Sequence, residues 1–370
     1  MTPAAPPAAA NPSAAARIRR RATRGRLILV ALGGAALLSG LDAALVRLEV
    51  WAPVASQHLG DVHGQVMVLG FLGTLISLER AQSLGRSWAY LAPGLYGAGA
   101  LALISPAPAL LGQLLHVEAG VLFVGVYLAL YRRAPRPLVA VQVLSAVLAL
   151  GGSVVAVLVD VPHALPWLAG FVVVTIAAER AELAALTMGP KADARLLALS
   201  FALTLSVLLA LVLPPVGERL AGLSLLAIAA WLAVHDVVRH QLRLTGQRRY
   251  LAVALLAGYA NLALAGGVLA VAGLVAGPGT YDVVVHGVFL GFGVSMVMAH
   301  APVILPAVLG RPLPYGPVLW VPLVLLHAGL AVRFTGALSG LTPLWQAGGV
   351  VTVLAMLSFL LTAVVLVVRR

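Results

Sequence analysis

Two histidines, His63 and His286, stand near the starts of two long apolar segments, and a glycine follows each of them directly. A second glycine comes seven residues after each histidine, which is two turns of a helix. Neutral imidazole is a good axial ligand for haem iron, and a neighbouring glycine lets a flat ring approach the backbone. The pattern predicts a b-type haem held between two helices by both imidazoles. The residues in this pattern are His63, Gly64, Gly70, His286, Gly287 and Gly293.

An alternative is that the two His-Gly pairs are coincidental and the histidines form hydrogen bonds between helices. Matched depth favours ligation, because each histidine opens an even-numbered apolar segment and follows an aspartate, Asp61 or Asp282. The haem is therefore predicted near the outer membrane face, between the second and tenth helices.

A second polar group is predicted nearer the inner face. His300 follows His286 by almost four helical turns, so the two share a helix face about 21 Å apart. The other members at comparable depth are Glu79, Glu179 and Glu182. Together they could form a metal site, a proton relay or a site for a quinone head group. The favoured alternative is a cluster of salt bridges with Arg80 and Arg180 that fixes helix packing.

Two further histidines lie in apolar segments. His116, with Glu118, is expected near the outer end of the fourth segment, where it could line the haem pocket or bind copper. His327 is expected near mid-membrane, where a hydrogen bond to a neighbouring helix is its simpler role.

The composition places these residues in a membrane. Of 370 residues, 61% are hydrophobic and 10% charged, with a mean hydropathy of +1.03, and one soluble core cannot bury so much apolar surface. Since a span needs about 20 apolar residues, we predict an all-α polytopic bundle of twelve transmembrane helices. The predicted spans are 26–48, 62–84, 89–109, 110–131, 138–158, 166–188, 194–214, 219–238, 250–276, 282–306, 315–336 and 344–367. The absence of cysteine excludes disulfides, covalently attached haem, iron–sulfur clusters and thiolate metal sites.

Charge placement predicts the topology. With both termini in the cytoplasm, all of the 24 Lys and Arg residues except Arg47, Arg180, Arg219 and Arg333 lie on the inner side. The net charge of +12 is thus explained by topology in the plasma membrane, which argues against nucleic-acid binding. Residues 1–24 are predicted to be a disordered basic cytoplasmic tail, and residues 25–370 the twelve-helix transmembrane domain.

The segments 61–81 and 282–311 resemble the heme-copper oxidase superfamily, whose main subunit has twelve helices. Its low-spin haem is bound by a histidine of the second helix, in a His-Gly-x-x-Met pattern, and a histidine of the tenth. The sequence from His63 to Met67 matches that pattern, so the resemblance adds Met67 to the predicted site. The segment from His286 to Arg311 is also similar to the NnrS family of twelve-span haem proteins linked to nitric-oxide stress. The resemblance implies an oxidase-like bundle.

The departures from this superfamily limit the function. Its oxidases and nitric oxide reductases use histidines of the sixth and seventh helices beside a second haem, whereas the predicted spans 166–188 and 194–214 contain none. The oxygen-reducing centre is therefore expected to be missing. We predict a b-type haem protein for electron transfer or for a response to nitric oxide or another redox ligand.

Two other classes stay open at this point. One is a divergent terminal oxidase or nitric oxide reductase, which would make the protein an oxidoreductase with copper as a second metal candidate. The other is a twelve-helix secondary transporter without haem. The expected partners of a haem protein are the lipid bilayer, a membrane quinol, and an electron-transfer protein or fused copper domain on the outer side.

Overall fold

The computed structural model describes residues 12–189, 191–274, 277–309 and 313–368. Twelve helices within these residues are long and apolar enough to cross a membrane, which confirms the predicted all-α polytopic fold. Only helices satisfy every backbone polar group within one segment, as a bilayer requires. The helices are α1 (Pro12–Arg47), α2 (Gln57–Leu84), α3 (Ser87–Ile104), α4 (Ala109–Arg133), α5 (Pro137–Leu158), α6 (Val161–Leu183), α7 (Ala192–Val212), α8 (Pro214–His235), α9 (Gly246–Ala272), α10 (278–309), α11 (Pro317–Ser339) and α12 (Thr342–Val368).

The start of the first helix differs from the prediction. Residues 1–11 of the predicted tail lie outside the described residues, but α1 begins at Pro12. Residues 12–24, which were predicted to be disordered, are therefore helical. Alanine and arginine are strong helix formers, and proline is well suited to the first helical position, so the basic segment extends the membrane helix.

Three helices form the centre of the bundle. Within the apolar stretch of each helix that can cross the membrane, 67% of α2, 72% of α6 and 83% of α10 is buried, which is more than in any other span. Helices that follow one another pack as antiparallel pairs, among them α5 with α6 and α11 with α12. Because α1 packs on α2, α3 and α12, it closes the bundle around the central helices. We call the face at which α2 and α10 begin the outer face, following the charge distribution.

Both helices that carry the predicted haem ligands contain a π-helical segment. In α2 it spans Val66–Gly73 and in α10 it spans Gly287–Val294. Each segment starts within three residues of the histidine and is eight residues long. A π-helix bonds i to i+5 and is often found at functional sites. The two helices therefore share an uncommon backbone form just after His63 and His286, which starts three residues after the first histidine and one residue after the second.

Glycine permits close helix packing at several crossings. A Cβ added at Gly222 of α8 would clash with the backbone of Ala270 of α9, and one added at Gly348 of α12 would clash with Arg333 of α11. Small residues at such crossings bring membrane helices together.

Candidate functional site

The two predicted haem ligands line one cavity. This outer cavity measures about 70 Å³ and lies between α1, α2, α10, α11 and α12. His63 enters it from α2 and His286 from α10, and the two imidazoles interact electrostatically. Their shared cavity agrees with the expectation that residues 223 positions apart in sequence meet in the fold.

Both imidazoles are held in the same way. The Nδ1 of His63 donates to the carbonyl oxygen of Gly40 at 2.9 Å, and the Nδ1 of His286 donates to that of Asp282 at 3.0 Å. A donating Nδ1 leaves the lone pair on Nε2, and neither Nε2 has a hydrogen-bond partner among the described residues. Metal-binding histidines are usually oriented by such a bond from the other nitrogen.

A buried ion pair supports His286. Arg333 of α11 donates from Nε and Nη2 to both carboxylate oxygens of Asp282, at 2.8 and 2.7 Å. The Asp282 Oδ1 atom also lies 3.2 Å from the Nδ1 of His286. Asp282 therefore orients His286 through both its backbone carbonyl and its carboxylate. Asp61 does not do the same for His63, whose partner is Gly40 of α1.

The predicted glycines have different surroundings. Gly64 and Met67 line the outer cavity beside His63. Gly70 instead faces Ala100 and Ala36, where an added Cβ would clash. Gly70 thus serves the packing of α2 against α1 and α3.

The corresponding glycines of α10 also do not form the predicted groove. A Cβ added at Gly287 would lie 2.9 Å from the Cβ of Ala265 in α9, so this glycine faces a neighbouring helix. Gly293 lines a second cavity nearer the inner face. The expectation of matched glycine grooves is therefore corrected, because helix packing uses two of the four glycines.

The outer cavity is lined by two imidazoles but is small. Pockets for small molecules usually measure about 300–1,000 Å³. The unbranched side chains of Met67 and Met356 and the side chain of Leu290 occupy its walls, and methionine adapts readily to different shapes. A macrocycle would therefore fit only with movement of these flexible side chains, and the two Nε2 lone pairs would be the groups available to bind its metal.

The second cavity lies on the inner side of the first. This inner cavity measures about 220 Å³ and is bounded by α1, α2, α6, α10 and α12. Both cavities share the side chain of Met356 as a wall. The π-helical segments run past both, since Val68 and Phe289 line the outer cavity while Phe71 and Val294 line the inner one.

The residues predicted as candidates for a second metal do not form one group; they are His300, Glu79, Glu179, Glu182 and His116. Within the described part of the chain, no three His, Asp or Glu side chains are grouped to hold a metal ion. His300 accepts from the Nη1 of Arg180 at 3.2 Å and donates from Nδ1 to the carbonyl of Met296 at 2.9 Å. Both its nitrogens are therefore engaged.

Glu79, Glu179 and Glu182 instead surround Arg80. Glu79 forms a direct two-point ion pair with Arg80. Oxygens of Glu179 and Glu182 lie 3.7 and 3.8 Å from the guanidinium nitrogens. This is the cluster of salt bridges that the packing interpretation predicted for Arg80.

Arg180 belongs to a separate network. Its Nε and Nη2 each donate to Asp236 at 2.9 Å, and the hydroxyl of Tyr259 donates to the same carboxylate at 2.7 Å. Sequence reasoning missed Asp236 and Tyr259, although a carboxylate inside the predicted span 219–238 was a signal.

His116 and His327 lie outside both cavities. His116 donates from Nε2 to the carbonyl of Tyr96 at 3.1 Å, between α3 and α4, so it neither lines the haem pocket nor joins His300. His327 accepts from Asn261 at 3.2 Å, and its other nitrogen lies 3.1 Å from the hydroxyl of Ser295. The expected interhelical hydrogen bonding of His327 is confirmed.

An oxidase centre would require buried histidines on α6 and α7, and neither helix has a buried histidine. Helix α6 begins at Val161, earlier than predicted, and so includes His163 in its first turn. That side chain is 52% exposed and donates from Nδ1 to Asp160 at 2.7 Å. Helix α7 contains no histidine.

Comparisons with known proteins give one match. A family model described as Domain of unknown function (DUF8744) matches residues 26–368. No curated protein and no solved structure matches the chain.

Proposed function

The chain belongs to the DUF8744 family, whose function is unknown, and we propose that it is a b-type haem protein that transfers electrons in the plasma membrane. The observation that carries this proposal is the pair of imidazoles on one cavity, His63 and His286, each with Nδ1 engaged and Nε2 free of any hydrogen bond. A haem bound by both would supply one-electron redox chemistry at iron.

The chain's own residues would hold and tune such a group. Gly40 and Asp282 fix the imidazole tautomers, and the carboxylate of Asp282 also lies within 3.2 Å of the Nδ1 of His286. Arg333 lines the cavity and its Nη1 has no hydrogen-bond partner among the described residues. Together with Arg47, whose charge also acts on His63, it would offer cations to the haem propionates at the outer face.

Electron transfer fits this site better than gas binding. A haem held by both His63 and His286 would leave no ligand position free, so nitric oxide or oxygen would have to displace one of these histidines. Both histidines are held by hydrogen bonds to backbone carbonyls, which favours retention. A response to nitric oxide is accordingly the secondary proposal.

The proposed redox partners follow from the position of the proposed haem near the outer face of the membrane. A membrane quinol would be the donor, and a redox protein or fused copper domain on the outer side would be the acceptor. Oxidation of one quinol releases two electrons and two protons, so two one-electron transfers to the acceptor are needed for each quinol. Both chain termini are proposed to lie in the cytoplasm, in line with the positive-inside distribution.

The test is an optical spectrum of the purified protein reduced with dithionite, together with a pyridine haemochrome assay. We expect a sharp α band of b-type haem, and its loss or conversion to a high-spin form in His63→Ala and in His286→Ala. His163→Ala is the matched control, because this histidine is exposed and lies outside the cavity. Absence of haem, or an unchanged low-spin spectrum in both cavity variants, would refute the proposal.

A further inference from the structure

The inner cavity has apolar walls and a few polar groups. Its walls include Leu37, Leu72 and Phe359, and its polar groups are Thr175, Glu79, Glu179 and His300. Since His300 has both nitrogens engaged, only the threonine and the two glutamates can contact a ligand. The cavity therefore suits a molecule that is mostly apolar and carries few oxygen atoms.

Thr175 lines this space and carries a hydroxyl that has no partner among the described residues. Its side chain is 1% exposed, and its Oγ1 is buried without a hydrogen-bond partner among the described residues. A buried hydroxyl without a partner costs free energy, so it usually has one. Because Thr175 lines the cavity, a ligand oxygen is the natural partner.

Glu179 lies one helical turn after Thr175 on the same face of α6 and is also uncommitted. It has no hydrogen bond among the described residues, and its only ion pair, with Arg80, is long at 3.7 Å. Glu79 already forms two hydrogen bonds with Arg80, and Glu182 accepts one from Gln142. One guanidinium does not balance three carboxylates, so Glu179 is free to exchange a proton or hydrogen bond with a ligand.

We propose that the inner cavity binds the head group of a lipid-soluble quinone or quinol. Thr175 and Glu179 would contact one ring oxygen. A cavity of about 150 Å³ is enough to bind benzene, and this one has about 220 Å³. The half-buried Val30 and Leu360 form the wall towards lipid between α1 and α12, where an isoprenoid tail would leave.

This inference rests on the proposed function, because the proposed haem would accept the electrons of a quinol bound in the inner cavity. The two sites are adjacent because Met356 is common to both cavities. Binding of the ring requires no haem, so the two proposals can fail separately.

The experiment measures equilibrium binding of radiolabelled decylubiquinone to the full chain in lipid nanodiscs, corrected with protein-free nanodiscs. We expect saturable binding of one molecule per chain. Gly34→Leu should weaken it at least tenfold, because Gly34 lines the cavity and an added Cβ would meet open space there. Gly267→Leu is the matched control, since that helical glycine also faces open space but lies outside the cavity.

A second variant tests the hydrogen bond. Thr175→Val keeps the side-chain shape and should weaken binding about three- to tenfold, as expected for one lost hydrogen bond. Size-exclusion profiles identify variants that fail to fold. Lack of saturable binding by the wild-type chain, or equal affinities of the Gly34→Leu and Gly267→Leu variants, would overturn the proposal.

The same samples separate the two proposals. His63→Ala should remove the low-spin haem spectrum and leave quinone affinity unchanged. Quinone binding without haem would refute the proposed electron transfer alone, and haem without quinone binding would refute this inference alone.

Discussion

Arg333 and Asp282, which are 51 positions apart, form a two-point ion pair directly behind His286. Arg333 also places its guanidinium carbon 5.8 Å from the ring centre of Trp345. Both partners are buried, at 6% and 7% exposure. The pair therefore connects the packing of α11 and α12 to the orientation of one predicted haem ligand on α10.

Removing one partner of this pair should be costly. Arg333→Gln leaves a buried carboxylate without its cation, so we expect a loss of about 3–5 kcal/mol in the free energy of unfolding. The measurement is unfolding of the purified protein in detergent. The double variant Asp282→Asn with Arg333→Gln should lose less than Arg333→Gln alone, as a double-mutant cycle would reveal.

Arg219→Gln serves as the control for Arg333, because Arg219 is an exposed arginine on the outer side and, among the described residues, its only hydrogen bond is to the carbonyl of Pro215. We expect a change within about 0.5 kcal/mol for it. Equal effects of the Arg219 and Arg333 substitutions would contradict the structural role of the ion pair.

The network around Asp236 gives a second prediction. Tyr259→Phe removes one hydrogen bond to a buried carboxylate, so the expected loss is about 1.5–3 kcal/mol. Tyr131→Phe is the matched control, because Tyr131 is 38% exposed and should change stability little. Thermal unfolding of both variants measures the difference, and an unchanged stability of Tyr259→Phe would show that Arg180 and the backbone N–H of Val238 are sufficient partners for Asp236.

Gly40 is predicted to be essential for the position of Met67. A Cβ at Gly40 would clash with the thioether of Met67, while the carbonyl of Gly40 holds His63. Gly40→Ala should therefore destabilise the protein by about 1–3 kcal/mol and broaden the proposed low-spin haem spectrum.

Two further variants test this explanation of the Gly40 effect. Adding Met67→Ala to Gly40→Ala should recover part of the stability, because it removes the clashing side chain. Gly34→Ala, on the same helix but facing open space, should leave stability unchanged or raise it by up to about 1 kcal/mol. Loss of stability in Gly34→Ala as large as in Gly40→Ala would indicate a general intolerance of side chains in α1.

The proposed topology can be tested with reporters. Alkaline phosphatase is active outside the cytoplasm and green fluorescent protein fluoresces inside it, so fusions after Arg370 should fluoresce and show no phosphatase activity. Fusions after Val159, in the connection between α5 and α6, should show the reverse. Phosphatase activity of the fusion at the C-terminus would show that the inner and outer faces have been assigned the wrong way round.

Several features were accessible from the sequence. Twelve apolar segments of about 20 residues required twelve spanning helices, and all twelve occur among the described residues. The spacing of His63 and His286 within their segments also identified two residues that line one cavity. Such features depend on local periodicity and on depth in the bilayer, both of which are properties of the chain itself.

Other features could not be predicted in this way. The partner of His63 is a backbone carbonyl of α1. Whether the hydroxyl of Thr175 has a partner depends on what packs around α6, and among the described residues it has none. Equal depth suggested that His300 and Glu179 could share a metal, but their side chains meet different arginines. A position in sequence specifies height in the membrane, but the direction of a side chain depends on which helix is its neighbour.

The sequence by itself determined that the chain crosses the membrane twelve times and that two His-Gly pairs enter it near the same face. Only the tertiary structure decided that both imidazoles share a cavity, that Arg333 supports one of them, and that the glutamates surround Arg80. The physical reason is that hydropathy and charge act along the chain. Contacts between helices instead depend on the fit of particular side chains, which hydrophobic periodicity does not encode.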